Sequence, residues 1–95
     1  MQIPMVTNSP EFIFAAASLK KIKQEPNYEE KAKCYGLYKQ ATIGDVNIAK
    51  PSFLNFTDFK KWESWVEIKG MNTYDAEVEY ITLVNRLIKK YGINP

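Results

Sequence analysis

The sequence predicts an all-α domain built from four helices. Apolar residues recur at spacings of three and four in each of four stretches. Each stretch opens on a residue suited to a helix N-cap and closes on glycine or proline. Strict alternation of polar and apolar residues, the mark of a half-buried strand, is absent. The 95 residues are enough for one modest core, and the 45% hydrophobic and 25% charged content is that of a folded domain. Residues 1–8 read as a flexible leader and residues 9–95 as the folded domain.

The first helix is expected to start at Ser9-Pro10. Serine caps the open N–H groups of a first turn, and proline fits the first helical position because its missing N–H would be unpaired there. Phe12, Ala15, Ala16, Leu19 and Ile22 then form one apolar stripe, and Pro26 is expected to end the helix. The second helix starts at Asn27, with Glu30 three residues on in the pattern of a capping box. It is expected to run to about Ile43 and stop at Gly44. Ala32, Tyr35, Leu37, Tyr38 and Ala41 are too many for one stripe, so this helix has two working faces. Residues 45–56, DVNIAKPSFLNF, read as an ordered loop broken by Pro51, and a loop of that length is often functional. The third helix starts near Thr57, carries Phe59, Trp62, Trp65, Val66 and Ile68, and closes at Gly70. The fourth starts at Asn72 and carries Ala76, Tyr80, Ile81, Val84, Leu87, Ile88 and Tyr91 to Gly92, with Lys89 and Lys90 where the helix dipole favours cations.

Several chemistries are excluded by composition. The chain has no histidine, which removes the usual neutral-pH base, the usual zinc ligand and a histidine-activated nucleophile. Its one cysteine, Cys34, cannot form an internal disulfide and reads as a packed apolar side chain, which fits a reducing compartment. No metal spacing, Gly-rich phosphate loop or acid–base set is visible, so neither metal nor cofactor is expected and no catalytic residue is assigned. A net charge of +2 is too mild to imply nucleic acid, and acidic residues interrupt the basic ones. No apolar run approaches the roughly 18 residues of a membrane span, and MQIPMVTNSP lacks the basic-then-apolar order of a secretory signal. A cytoplasmic monomer is the expectation.

One face of the second helix invites a chemical reading. Tyr35 and Lys39 are one turn apart with Tyr38 beside them. A ring next to an ammonium suits a ligand with a flat ring and a phosphate. Gly36 leaves room for a close approach. The competing reading packs Tyr35 in the core and leaves Lys39 in water, and spacing alone favours it. Lys20-Lys21 and Lys60-Lys61 could add charge, though each pair alone more often marks a solvated face.

The run Tyr38, Lys39, Gln40, Ala41, Thr42, Gly44, Asp45 and Asn47 changes that balance. With Lys50-Pro51, Lys61-Trp62, Trp65, Lys69-Gly70 and the ending KKYGI at Lys89–Ile93, the sequence closely resembles the acyl-CoA-binding protein family. The resemblance runs without a gap from about Phe12 to Ile93. It implies an up-down-down-up four-helix bundle with a bowl-shaped site, and a non-catalytic carrier that binds medium- to long-chain acyl-CoA and holds it as a pool. It implies a head-group site of Lys20, Tyr35, Gly36, Leu37, Tyr38, Lys39, Lys61 and Tyr80, with Tyr38 stacked on adenine and Lys39 and Lys61 on the phosphates. It implies an acyl groove lined by Phe12, Ala15, Ala16, Lys31 and Ala32. Trp62 and Trp65 are assigned to packing, Trp62 the nearer to the ligand. Lys31 and Ala32 stand where many members carry larger apolar residues, and Lys50 where arginine is common. The implied partners are acyl-CoA and, transiently, acyl-CoA-using enzymes or membranes. A substrate-delivery or protein-interaction module is the competing function.

Overall fold

A computed structural model describes residues 8–95 of the chain. Helices α1 (Pro10–Leu19), α2 (Tyr28–Thr42), α3 (Phe56–Glu67) and α4 (Thr73–Tyr91) follow in order. The backbone of α2 packs against both α3 and α4, and α1 packs against α4. The second helix therefore does have two working faces. Of the expected leader, residues 1–8, the first seven lie outside the described residues. Asn8, the last residue of that stretch, donates through Nδ2 to the Ala41 carbonyl at 2.9 Å and to Glu77 Oε2 at 2.7 Å. The same carboxylate accepts from the Ser9 N–H, which fastens the start of α1 to α4.

Local chemistry explains the helix starts. The Ser9 hydroxyl accepts from the Phe12 N–H. Asn27 and Glu30 form the expected capping box at 2.8 and 2.9 Å. Asn72 caps α4 by accepting from the Asp75 N–H at 2.7 Å. The start of α3 differs from expectation by one residue, because the Asn55 side chain accepts from the Asp58 N–H and makes Phe56 the first helical position. Each cap satisfies an otherwise open donor and is worth about 1 kcal/mol.

The end of α1 differs more. The helix stops at Leu19, well before Pro26. The chain beyond it pairs with the C-terminal tail instead. Ile22 and Ile93 form an isolated antiparallel bridge, the Lys23 N–H donates to the Gly92 carbonyl at 3.0 Å, and the Asn94 N–H to the Lys21 carbonyl at 2.8 Å. Gly92 turns the tail with a φ of 83°, in the left-handed region that glycine enters at low cost. Ile22 leaves the helical stripe but still packs against the core.

That core joins three helices: Phe12 and Ala15 from α1, Leu37 and Ala41 from α2, and Ala76, Tyr80, Leu83, Val84 and Leu87 from α4. The α2–α3 contact is tighter. A Cβ on Gly36 would lie 2.9 Å from the Ser64 carbonyl carbon and oxygen and 3.0 Å from the Trp65 nitrogen, all backbone atoms.

Glu30 links the two ends of the chain. Besides capping α2 it accepts from the Tyr91 hydroxyl at 2.5 Å and from Lys90 Nζ at 2.9 Å. The Tyr91 hydrogen bond, then the Asn27 N–H and Lys90, hold its carboxyl down at about 2. The folded value lies below the unfolded one, so this contribution to stability is complete above about pH 4.3 and is lost as pH falls toward the folded value.

Two outcomes are expected. Glu30→Gln keeps a side chain able to complete the capping box but removes the titrating charge, so denaturant midpoints measured across an acid pH series flatten below about pH 4.3; an unchanged slope there contradicts the assignment. Gly36→Ala forces two backbones apart and lowers unfolding free energy by about 1–3 kcal/mol in denaturant titration; a neutral result contradicts the close contact.

Candidate functional site

The residues of α2 decide what its open face offers. Lys31, Cys34, Tyr35 and Tyr38 recur at spacings of three, one and three, so they share one face of a helix with 3.6 residues per turn. All four line a cavity of about 380 Å³. Its other walls are Leu19 and Ile22 from the end of α1 and beyond, Glu25 and Pro26 from the α1–α2 segment, Lys61 from α3 and Tyr80 from α4. The chain pairing with the C-terminal tail is what brings Ile22, Glu25 and Pro26 here.

The floor is aromatic. Phe12 stacks on Tyr38 with centroids 5.5 Å apart and planes 22° apart, and lies 4.9 Å from the Tyr80 ring; Tyr38 and Tyr80 are 5.8 Å apart. Three helices thus meet in a triad of rings. Tyr80 is 3% exposed and Tyr38 40% exposed, so one ring is a floor and the other offers itself to solvent. Burial pushes the Tyr80 hydroxyl up and keeps it neutral. Burial likewise raises Cys34 to about 11, with the Glu30 charge as a lesser cause.

Beside the floor lies a cation pair. The Tyr35 ring meets the buried Trp65 ring edge-on at 6.3 Å. Lys39 Nζ and Lys61 Nζ each lie 5.6 Å from the Tyr35 centroid, and Lys39 Nζ lies 5.9 Å from Trp65. The ion pairs among the described residues are Lys31–Glu25, Lys60–Glu63 and Lys90–Glu30, so neither Lys39 nor Lys61 has a carboxylate partner. The π-faces of Tyr35 and Trp65 offset part of the repulsion between the ammonium groups. Two lysines without carboxylate partners thus share one ring, Lys39 from α2 and Lys61 from α3.

The loop after α2 is held by residues of the sequence motif itself. Gly44 turns at a φ of 101°, its carbonyl accepts from Trp65 Nε1 at 2.8 Å, and the Ile48 carbonyl accepts from Trp62 Nε1 at 3.1 Å. Asp45 Oδ1 accepts from Gln40 Nε2 at 2.9 Å and from the Gly70 N–H at 2.7 Å. These hydrogen bonds hold the Asp45 carboxyl below its usual range, Gln40 most and Gly70 next.

The expected site residues divide accordingly. Lys31, Tyr35, Tyr38, Lys61 and Tyr80 line the cavity; Lys39 does not line it but lies over the Tyr35 ring, and Phe12 packs against Tyr38 and Tyr80. Gly36 admits the backbone of α3 rather than open space. Leu37 is buried in the core, and Ala15 and Ala16 pack there too. Ala32 lies one residue, about 100° of helix, from Lys31 and sits in a cleft between α2 and α3 with Lys60 and Ser64. Lys20 is exposed at the end of α1 and does not line the cavity. Glu25, Pro26 and Cys34 were missed as lining residues. Cys34 shares the spacing of Lys31 and Tyr38, which was the available signal; Glu25 and Pro26 are placed by tail pairing and had none. Among the described residues no group of histidine, cysteine, aspartate and glutamate could hold a metal, and no helix is long and apolar enough to cross a membrane.

An all-α fold with an open aromatic cavity and an unpaired cation pair defines a small ligand-binding helical protein. The family model described as Acyl CoA binding protein matches residues 9–84. Acyl-CoA-binding protein 2 of Saccharomyces pastorianus and the acyl-CoA-binding protein of Saccharomyces cerevisiae are each 45% identical over 77 residues, covering 81% of this chain and 88% of theirs. The crystal structure of Oryza sativa acyl-CoA-binding protein 2 superposes with a TM-score of 0.79 at 36% identity, covering 84% of this chain and 87% of that one. The solution structure of the yeast acyl coenzyme A binding protein gives 0.72 at 42% identity, covering 90% and 99%. The chain belongs to the acyl-CoA-binding protein family.

Cys34 supplies a check on the burial of the cavity wall. With its thiol raised to about 11, roughly a hundredfold less thiolate is present at neutral pH than for a free cysteine. Labelling of the native protein with an aromatic disulfide is expected to be slower than that of the denatured chain by at least that factor; equal rates contradict the burial.

Proposed function

We propose that this protein binds medium- to long-chain acyl-CoA one-to-one in the aromatic cavity and carries it as a pool, without turning it over. The observation that carries the reading is an apolar cavity on one face of α2 with Lys61 in its wall and a second lysine without a carboxylate partner, Lys39, over the Tyr35 ring that lines it. Acyl-CoA joins an anionic nucleotide to an alkyl chain. Lys39 and Lys61 would take the phosphates, the 3′-phosphate above all, with charge-assisted hydrogen bonds. Tyr38, backed by Phe12, would stack on adenine. Tyr35 would hold both ammonium groups in place. The apolar walls from Leu19, Ile22, Pro26 and Cys34 would shield the first part of the chain, and the Lys31 stem would lie over it with its head in water. Each buried CH₂ contributes about 0.8 kcal/mol, so a chain of about fourteen contributes on the order of 10 kcal/mol if wholly buried, before the cost of ordering it.

The sequence holds no histidine to serve as a base, burial raises the Tyr35 and Tyr80 hydroxyls and the Cys34 thiol, and the one carboxylate of the cavity wall, Glu25, is engaged by Lys31. None suits proton transfer at neutral pH. The reading places the protein in the cytoplasm as a monomer that hands its ligand to acyl-CoA-using enzymes.

Calorimetric titration with palmitoyl-CoA, octanoyl-CoA, CoA and palmitate tests it. Palmitoyl-CoA binds tightly at one-to-one, octanoyl-CoA more weakly, and the separate halves little. Lys39→Ala and Lys61→Ala each weaken palmitoyl-CoA by about ten- to hundredfold, the range for a hydrogen bond to a charged group. Unchanged affinity in both variants would sink the head-group assignment, and no heat with palmitoyl-CoA would sink the carrier reading.

A further inference from the structure

One wall of the cavity is not secured by helix packing. Leu19, Ile22, Glu25 and Pro26 line it, yet α1 ends at Leu19 and α2 begins at Tyr28. The Lys21 and Ile22 N–H groups still close turns on the Ser18 and Leu19 carbonyls. Beyond them, among the described residues, the backbone from Lys23 to Pro26 makes one hydrogen bond to other backbone, from the Lys23 N–H to the Gly92 carbonyl at 3.0 Å. Segments with so few backbone bonds are the ones that open locally at low cost. What keeps this wall in place comes from the far end of the chain.

Two anchors do so. The first is the tail after α4. The Asn94 N–H donates to the Lys21 carbonyl at 2.8 Å, and Gly92 lies against the Lys23 stem, where a Cβ would be 3.2 Å from Lys23 Cδ. The second is Glu30. Its Oε1 accepts from the Asn27 N–H, next after Pro26, at 2.9 Å and from the Tyr91 hydroxyl at 2.5 Å, while Oε2 accepts from Lys90 Nζ at 2.9 Å. One carboxylate thus joins the end of the wall, the first turn of α2 and the last turn of α4. The same hydrogen bonds hold that carboxyl at about 2, so it stays ionised across the neutral range. The remaining tie, Lys31–Glu25, is an exposed ion pair and holds the wall weakly. None of Glu30, Lys90, Tyr91 and the tail residues lines the cavity, so any effect they have on it passes through the wall.

We infer that the C-terminal tail and the Glu30–Lys90–Tyr91 cluster form a clasp that keeps the α1–α2 segment closed over the cavity. Glu30, Lys90 and Tyr91 are then positioning residues for the wall that covers the acyl chain, and they set how readily a bound chain escapes. The part played in ligand retention rests on the carrier reading; the hold on the wall does not.

The test compares the full chain with Tyr91→Phe, which removes one hydroxyl and keeps the ring, and with a chain shortened by residues 93–95. Cys34 lines the same cavity and reports on its opening without any ligand. Well below the unfolding midpoint, labelling of Cys34 by an aromatic disulfide becomes about tenfold faster in both variants, the scale of one hydrogen bond to a charged group. Those rates do not change with denaturant there, which marks local rather than global opening. Palmitoyl-CoA and octanoyl-CoA each weaken about tenfold through faster dissociation, roughly the effect of exposing two methylenes. CoA, titrated at high concentration, keeps its own weaker affinity. Unchanged labelling in both variants overturns the inference, as does an acceleration that only follows the loss of global stability. An equal loss for CoA and palmitoyl-CoA overturns the assignment of this wall to the acyl chain. Failure of the full chain to bind palmitoyl-CoA sinks the carrier reading instead, and the labelling rates alone then decide for or against the clasp.

Discussion

The meeting of Lys39 and Lys61 at the Tyr35 ring depends on how closely α3 approaches α2. Without a side chain at Gly36, the Ser64–Trp65 backbone settles against α2 at a distance that no other residue would permit. That contact sets Trp65 edge-on to Tyr35 and carries Lys61, one turn earlier on α3, to the same ring that Lys39 reaches from α2. Two lysines from different helices are thus brought to one ring by the packing of neutral groups, and on the carrier reading both serve the anionic head group. A looser α2–α3 seam would let the lysines separate and would relax the site toward an ordinary solvated surface.

Much of the sequence motif turns out to be mechanical. Tyr38 and Lys39 face outward, but Gln40 is 1% exposed, and its Nε2 donates both to Asp45 and to the Met71 carbonyl at 2.8 Å. Asp45 in turn holds the Gly70 N–H. One buried amide and one carboxylate therefore tie the end of α2 to the turn between α3 and α4, and Trp65 closes the loop onto Gly44. Such networks matter because breaking one member strands the others in low dielectric. Gln40 Oε1 has no hydrogen-bond partner in the structure. The motif reads as a binding signature, yet about half of it keeps Tyr35, Lys39 and Lys61 in register.

What was legible in the sequence follows from the range of the forces involved. The caps at Ser9, Asn27 and Asn72 were readable because a cap is settled within three residues. The face formed by Tyr35, Tyr38 and Lys39 was readable from helical period, while Lys31 came only with the family resemblance; the same period held Cys34, though its apolar character pointed to packing alone. The early end of α1 was not readable: Lys21 and Lys23 find their backbone partners in Asn94 and Gly92, at the far end of the chain. For the same reason Glu25 and Pro26 gave no sign of lining a cavity. Gly36 was read as room for a close approach, which it is, but the group that approaches is α3. Ala32 and Leu37 neighbour site residues in sequence and point elsewhere in space, because a single helical step turns the side chain by about 100°.

The walls of the cavity are secured differently, and this bears on how an acyl chain would be measured. Tyr35 and Tyr38 are backed by buried Trp65 and Phe12. Elsewhere the wall is the Lys31–Glu25 ion pair, whose partners are partly and largely exposed. Exposed pairs of this kind contribute at most about 1 kcal/mol, little more than the burial of a single methylene. Such a wall cannot act as a hard stop. On the carrier reading, a chain long enough to reach it gains more by displacing the pair than the pair resists. Affinity would then rise with each methylene until the apolar walls are covered and level off beyond them. Discrimination between chain lengths would come from burial at Leu19, Ile22 and Cys34, with the head group fixing where the count begins.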